Sequence, residues 1–328
     1  MTTSTTDHPT DHPTDQPGHR PAHRPADRPY TALLRDDRHR WWRPLVGLAA
    51  AAGGLLVLLV VLLAGTVVAV LAAAALGRGE VPEVDDAQFD VALTSTWWGW
   101  LLTNLLLATG IPLAALAVLA GHRRRPGTLS STAGRFRWRR TGAAALAALV
   151  VLGALVALGY AVDPVAPPAD PVAREVVLLL LVVLLTTPLQ AAGEEYVFRG
   201  WLSQAVGSWS ARPVVGAVVA AVVSAALFGL AHGGQDAWLL TDRVVFGLVA
   251  SWLVWRTGGL EAAVAVHAVN NLVILVPAVL TGTLAQASLA TSAPPWVVLS
   301  GIAGLLLVAA VVHRTAPPRT GGHRSPRR

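Results

Sequence analysis

Residues 176–200 read VVLLLLVVLLTTPLQAAGEEYVFRG, and the way this stretch ends decides what kind of molecule the chain is. Val176 to Gln190 carry no charge, and then Glu194, Glu195 and Arg199 arrive close together. A run of ~20 apolar residues is long enough to cross a bilayer core of ~30 Å. Ionisable groups at the end of such a run either mark the point where a helix leaves the lipid or face a water-accessible cavity among helices. Glu195 and Arg199 are four apart, so on a helix they share a face and form a natural ion pair. Glu194 is turned ~100° away from Glu195 at 3.6 residues per turn. One carboxylate is thus neutralised by the arginine while the other looks elsewhere. A carboxylate in an apolar setting can act as a base near neutral pH.

The rest of the chain supports a membrane setting. It has 328 residues, of which 54% are hydrophobic and only 13% charged; soluble domains are about a quarter charged. Length alone suggests two soluble domains, but the composition overrides that prior. Eight apolar spans fall near 44–68, 98–121, 141–162, 174–200, 213–232, 237–256, 260–281 and 295–313. The expected fold is all-α, a polytopic membrane bundle of about eight transmembrane helices. The first run continues to Leu76, which implies a long or tilted helix. There is no cysteine, which excludes disulfides, thiolate catalysis and thiolate metal sites. All 25 basic residues are arginine. With so much Ala, Gly, Val and Leu, this points to a GC-rich bacterial genome. The basic balance calls for no nucleic acid, because the arginines cluster beside apolar runs, where they meet water and anionic headgroups.

Three regions are expected: a disordered cytoplasmic tail over 1–40, a membrane domain over 41–313 and a basic cytoplasmic tail over 314–328. The first is rich in Pro, His, Asp and Arg and has almost nothing apolar to bury. Its histidines (His8, His12, His19, His23) read as part of a solvated low-complexity arm rather than a metal site. It does not read as a signal peptide, since the first apolar run begins only after Arg43. Seven arginines precede the first span, seven lie in 122–140 and five follow from Arg314 onward. The connections on the other side are nearly free of arginine. An even number of spans places all three basic segments together, and arginine bias makes that side cytoplasmic. The expected location is the plasma (inner) membrane, multi-pass, with both termini cytoplasmic.

Three further polar groups interrupt the spans. FGLAH (228–232) puts Phe228 and His232 on one face at the end of an apolar helix. HAVNN (267–271) puts His267 and Asn271 on one face in the middle of an apolar run, where unsatisfied polar groups are expensive. Packing of an interfacial histidine and helix–helix hydrogen bonding are the bland accounts of these two. Asp242 and Arg243, neighbours near the outer end of the sixth span, read as structural.

EEYVFR (194–199), FGLAH (228–232) and HAVNN (267–271), on separate hydrophobic spans and in this order, resemble the CPBP family of CAAX proteases and bacteriocin-processing or Abi intramembrane proteases. The GWL that follows the first motif is also typical. The resemblance covers about residues 170–280, and all six polar positions match. It implies a helical membrane endopeptidase with a site inside the bilayer, open to the cytoplasmic side. Carried over, Glu194 is the general base and His232 helps hold or polarise the water. Glu195 anchors Arg199 and shapes the site, and His267 and Asn271 donate to the tetrahedral oxyanion.

The family is commonly described as metalloproteases, and two His and a Glu can bind zinc with an open water position. The candidates here are Glu194, His232 and His267. The chain has no HExxH helix and these ligands come from three helices, which tilts the reading toward metal-free activation of water by glutamate. Helical rise of ~1.5 Å per residue puts Glu194 and His267 at similar depths, ~15 and ~12 Å from the inner helix ends. His232 comes out at ~28 Å from Pro213, which does not agree with the other two. The expected partners are the lipid bilayer and a peptide or membrane-protein substrate. Bacteria generally lack prenylated CAAX proteins, which leaves the substrate's identity open. A proton-coupled transporter also uses intramembrane Glu, His and Arg, but no inverted repeat or paired broken helices are visible. A non-catalytic immunity or scaffold protein is the third reading, and the full polar set argues against it.

Overall fold

The computed structural model describes residues 28–76, 86–165 and 173–316. Among these, α-helices follow one another without a strand: α1 (Arg43–Ala75), α2 (Asp86–Ser95), α3 (Trp97–Ala108), α4 (Gly110–His122), α5 (Gly127–Ser130), α6 (Trp138–Val162), α7 (Ala173–Glu195), α8 (Ser203–Ser208), α9 (Pro213–Leu230), α10 (Ala237–Thr257), α11 (Glu261–Leu280), α12 (Leu284–Leu289) and α13 (Pro295–Thr315). Eight segments are long and apolar enough to span a membrane. They coincide with the eight runs in the sequence, so the polytopic all-α class holds. The helices show many Leu and Val side chains to the outside, including Leu56, Leu63, Leu185 and Val218. That outward apolar surface suits lipid and would be costly in water.

Local chemistry sets the helix ends. Pro44, Pro213 and Pro295 sit in the first turns of their helices, where a missing N–H costs nothing. Asp236 caps α10, its carboxylate accepting from the Leu239 amide at 2.8 Å. Gly258 closes the same helix with φ of 69°, a conformation that favours glycine. The second span is broken into α3 and α4 around Thr109, three residues before Pro112, whose ring and missing N–H oppose a continuous helix there.

The centre of the bundle is α11. Its first eight residues, Glu261 to Ala268, are all buried, and it packs between α6 and α7. Around this core, α3 lies on α7, α9 on α10, and α13 on α6 and α10. The long α1 lies against α4 and is buried only at Pro44 and Gly47, so most of its length faces outward. Two backbones meet at the crossing of the second and fourth spans. A Cβ on Gly193 would fall 2.2 Å from the Leu107 carbonyl oxygen, and one on Gly110 would fall 2.6 Å from that of Gly193. This close approach sets α7 against α3 immediately before Glu194.

The expected tail boundary near residue 40 needs correcting. Tyr30 to Leu34 are buried against α8 and α9 through a short 3-10 turn, Tyr30–Ala32. The Tyr30 hydroxyl donates to the Leu129 carbonyl. Burial pushes the Tyr30 phenol well above the usual tyrosine range, so it stays a donor. Three apolar residues, Ala32, Leu33 and Leu34, directly after a tyrosine are what distinguish this piece from the Pro/His/Asp repeat before it. The repeat itself, with its histidines, and the basic stretch after residue 316 lie outside the described residues.

The arginine-rich segments do gather at one end of the bundle. Arg124 pairs with Asp36 at 2.6 Å, Arg137 with Glu261 at 2.6 Å, and Arg256 bonds His313 at 2.9 Å. Trp209, after α8, donates to the Trp41 carbonyl at 2.9 Å.

Candidate active site

The helix that opens with the apolar run does not stop at the glutamates. It continues through a π-helical stretch, Tyr196–Leu202, into α8. Such wide turns release backbone groups and are frequent at functional sites. Here the Phe198 carbonyl takes hydroxyl donors from Ser203 at 3.0 Å and Ser224 at 2.9 Å.

The two glutamates do different jobs, as their angular offset predicts. Glu195 is fully buried. Its Oε1 accepts from Arg199 Nη1 at 3.0 Å and from His267 Nδ1 at 2.8 Å. Arg199 is equally buried, and its guanidinium lies 4.1 Å from the centroid of the Phe228 ring. Two favourable contacts, carboxylate and aromatic face, thus hold a cation in the core. Glu194 keeps its side chain 15% exposed. Its Oε2 lies 3.4 Å from His267 Nε2 and has no hydrogen-bond partner among the described residues. Glu195 is therefore anchored through Oε1, with Oε2 unpartnered among the described residues, while Glu194 is held near an imidazole at the cavity wall.

The histidine tautomers follow from their partners. A carbonyl oxygen only accepts, so His232 Nδ1 donates to the Phe228 carbonyl at 2.7 Å. His267 Nδ1 likewise donates to the Glu195 carboxylate. Each ring then presents Nε2 away from its anchoring bond. Phe228 links the two, its ring centroid 4.7 Å from that of His232 and 5.8 Å from that of His267. Asn271 Nδ2 donates to Gln190 Oε1 at 3.2 Å and keeps a second N–H.

Glu194, His232, His267 and Asn271 line a single cavity of about 430 Å³. Trp100, Leu107, Ile274 and Leu275 form apolar walls, and Gln190 and Asn270 add amides. Glu195 and Arg199 lie behind the wall. All six residues singled out from the sequence therefore join one cluster. Two further residues come with them. Gln190 is four before Glu194, and that i,i+4 spacing is a signal the sequence reading did not use. Arg243 pairs with Asp242 at 3.0 Å and also lines the cavity, beyond the structural role expected of it.

The depth mismatch of His232 is now explained. Helix α9 runs from the arginine-rich end at Pro213 to Leu230 at the opposite end, and His232 sits in the turn that follows. There it lines the same cavity as Glu194 and His267, with the Phe228 ring against both imidazoles. The mouth is completed by Leu93 and Thr94 of α2 and by Ala287 and Ser288 of α12, all at the end opposite the arginines. The mouth and the described arginine-rich segments thus lie at opposite ends of the bundle.

The residues do not fit a metal centre as they stand. Glu194, His232 and His267 share the cavity, but among the described residues no three His, Asp or Glu side chains are grouped to hold a metal ion.

Comparison with known proteins agrees with the motifs. Residues 175–273 match the family described as type II CAAX prenyl endopeptidase Rce1-like. The uncharacterized protein YyaK of Bacillus subtilis (strain 168) is 25% identical over 178 residues, which is 52% of this chain and 58% of that protein. The chain thus spans less than two thirds of that relative's length. No solved structure matches the chain. The matched residues include the glutamate pair, Arg199, both histidines and Asn271, so over this stretch the chain is similar to the CPBP/CAAX family of intramembrane proteases.

Proposed function

We propose that this protein is an intramembrane endopeptidase that hydrolyses a peptide bond with water activated by Glu194. One observation carries the reading: of two adjacent carboxylates on one helix, Glu195 is tied through Oε1 to Arg199 and His267 behind the wall, while Glu194 lines the cavity and makes no hydrogen bond through Oε2. A structural ion cluster has no use for the second carboxylate, and a general base needs one.

The chemistry follows from the donors present. Water in the cavity is held by Glu194, with His232 Nε2 accepting its other proton. Glu194 removes one proton as the oxygen attacks the substrate carbonyl carbon. The resulting oxyanion is met by the second N–H of Asn271 and by His267. Glu194 then passes its proton to the leaving nitrogen, the C–N bond breaks, and a carboxylate and an amine result. Removing one oxyanion donor typically costs ~10²–10³ in rate.

The test is cleavage of a panel of membrane-embedded reporter peptides by purified wild type and Glu194→Ala, with and without chelator. Turnover that disappears in the variant and survives chelator supports the reading. Wild-type turnover abolished by chelator overturns the metal-free form of it. A folded wild type that cleaves nothing, with inward solute uptake lost in Glu194→Gln, favours transport instead.

A further inference from the structure

Two features of the bundle point in opposite directions. The first is charge. The end that holds Arg43, Arg124, Arg137, Arg212, Arg256 and Arg314 is strongly basic. Among the described residues the other end carries Arg174, at the start of α7, with Arg243 about two turns inside α10. In short loops near span ends, such an excess of arginine marks the cytoplasmic face.

The second is access to Glu194. Every element that forms the mouth belongs to the arginine-poor end: the end of α2 with the start of α3, the turn after α9, the start of α10, the second half of α11, and α12. Toward the arginine-rich end the cluster is roofed by packed chain. There α5 tucks against the π-helical stretch, with Leu129 fully buried. Ser130 and Tyr196 share a hydrogen bond of 2.7 Å, and Gln204 donates to the Thr128 carbonyl at 2.9 Å. Beside them, Glu261 is fully buried under Arg137.

From these two features we propose that the cavity opens on the extracytoplasmic face, and that the substrate is a polypeptide segment presented there: an exported chain or the outward end of a membrane span, not a cytosolic terminus. The inference rests on the protease reading above and narrows its substrate class. An apolar wall (Trp100, Leu107, Ile274, Leu275) beside amides (Gln190, Asn270, Asn271) suits an extended, largely uncharged peptide. Apolar side chains lie on the wall, and the amides meet its backbone.

The absence of cysteine makes the test direct. Ala287→Cys places one thiol at the mouth, and Ala133→Cys places one at the arginine-rich end; both positions are exposed. Intact spheroplasts are treated with a membrane-impermeant maleimide before and after lysis. In parallel, a charged, impermeant reporter peptide that the detergent-solubilised wild type cleaves is added outside the same spheroplasts.

The proposal expects Ala287→Cys to label before lysis and Ala133→Cys only after it. It also expects external peptide cleavage that is lost in Glu194→Gln. The reverse labelling pattern overturns the proposal, even where the detergent assay shows a working protease. External peptide left intact while solubilised enzyme cleaves it also overturns it. Failure of every reporter in detergent, with folding intact, overturns the protease reading itself, and the substrate class falls with it.

Discussion

Glu194 and Glu195 are neighbours in sequence and opposites in environment, and substitution should separate them. In Glu195→Gln, Arg199 loses its hydrogen-bonded carboxylate partner, and His267 loses its anchor. Breaking a buried pair from one side typically costs ~3–5 kcal/mol. Glu195→Gln is therefore expected to lower the thermal midpoint and the rate together. Glu194 has no hydrogen-bond partner to lose on Oε2, so Glu194→Gln should keep the wild-type melting curve and lose turnover. Equal destabilisation in both variants contradicts the division of roles. Asn271→Ala is expected to lower kcat by ~10²–10³ with little change in KM, read by steady-state kinetics on a cleaved reporter. The six polar positions were legible in the sequence because ionisable and amide groups stand out in apolar spans. Gln190 and Arg243 were not singled out. A glutamine next to two threonines and a proline looks like ordinary helix, and an arginine beside an aspartate looks self-sufficient.

At the scale of elements, the site depends on how closely α7 approaches α3. Gly193 has no room for a Cβ against the Leu107 carbonyl. Gly193→Val must push the helices apart, and overpacking of this kind costs ~1–3 kcal/mol or more. The variant is expected to melt earlier in detergent and to lose activity beyond what its residual folded fraction explains; wild-type stability would contradict the close crossing. The spans themselves were legible to within a few residues, because ~20 consecutive apolar residues have few other uses. The π-helical stretch after Glu195 was not legible, since it depends on Ser224 arriving from another helix to bond the Phe198 carbonyl. Nor was the docking of Tyr30 to Leu34, which needs α8 and α9 already in place beneath it.

Across the whole molecule, charge and shape together define the setting. Arginine counts alone gave the sidedness of the basic segments, and the structure agrees that they share an end. Which end the cavity opens to was not readable from them, because the mouth is assembled from five separate stretches of chain. With no three-residue ligand group for a metal among the described residues, the account expects turnover to be unchanged after exhaustive chelation, as measured by initial rate. The central claim is that Glu194 delivers water to a peptide carbonyl. It is tested most directly by a single turnover of a cleavable reporter in ¹⁸O-labelled water, read by mass spectrometry of product and enzyme. The account predicts one labelled oxygen in the new carboxyl terminus of the product and none in Glu194. An unlabelled product with the label on Glu194 would show attack by the carboxylate itself and contradict it.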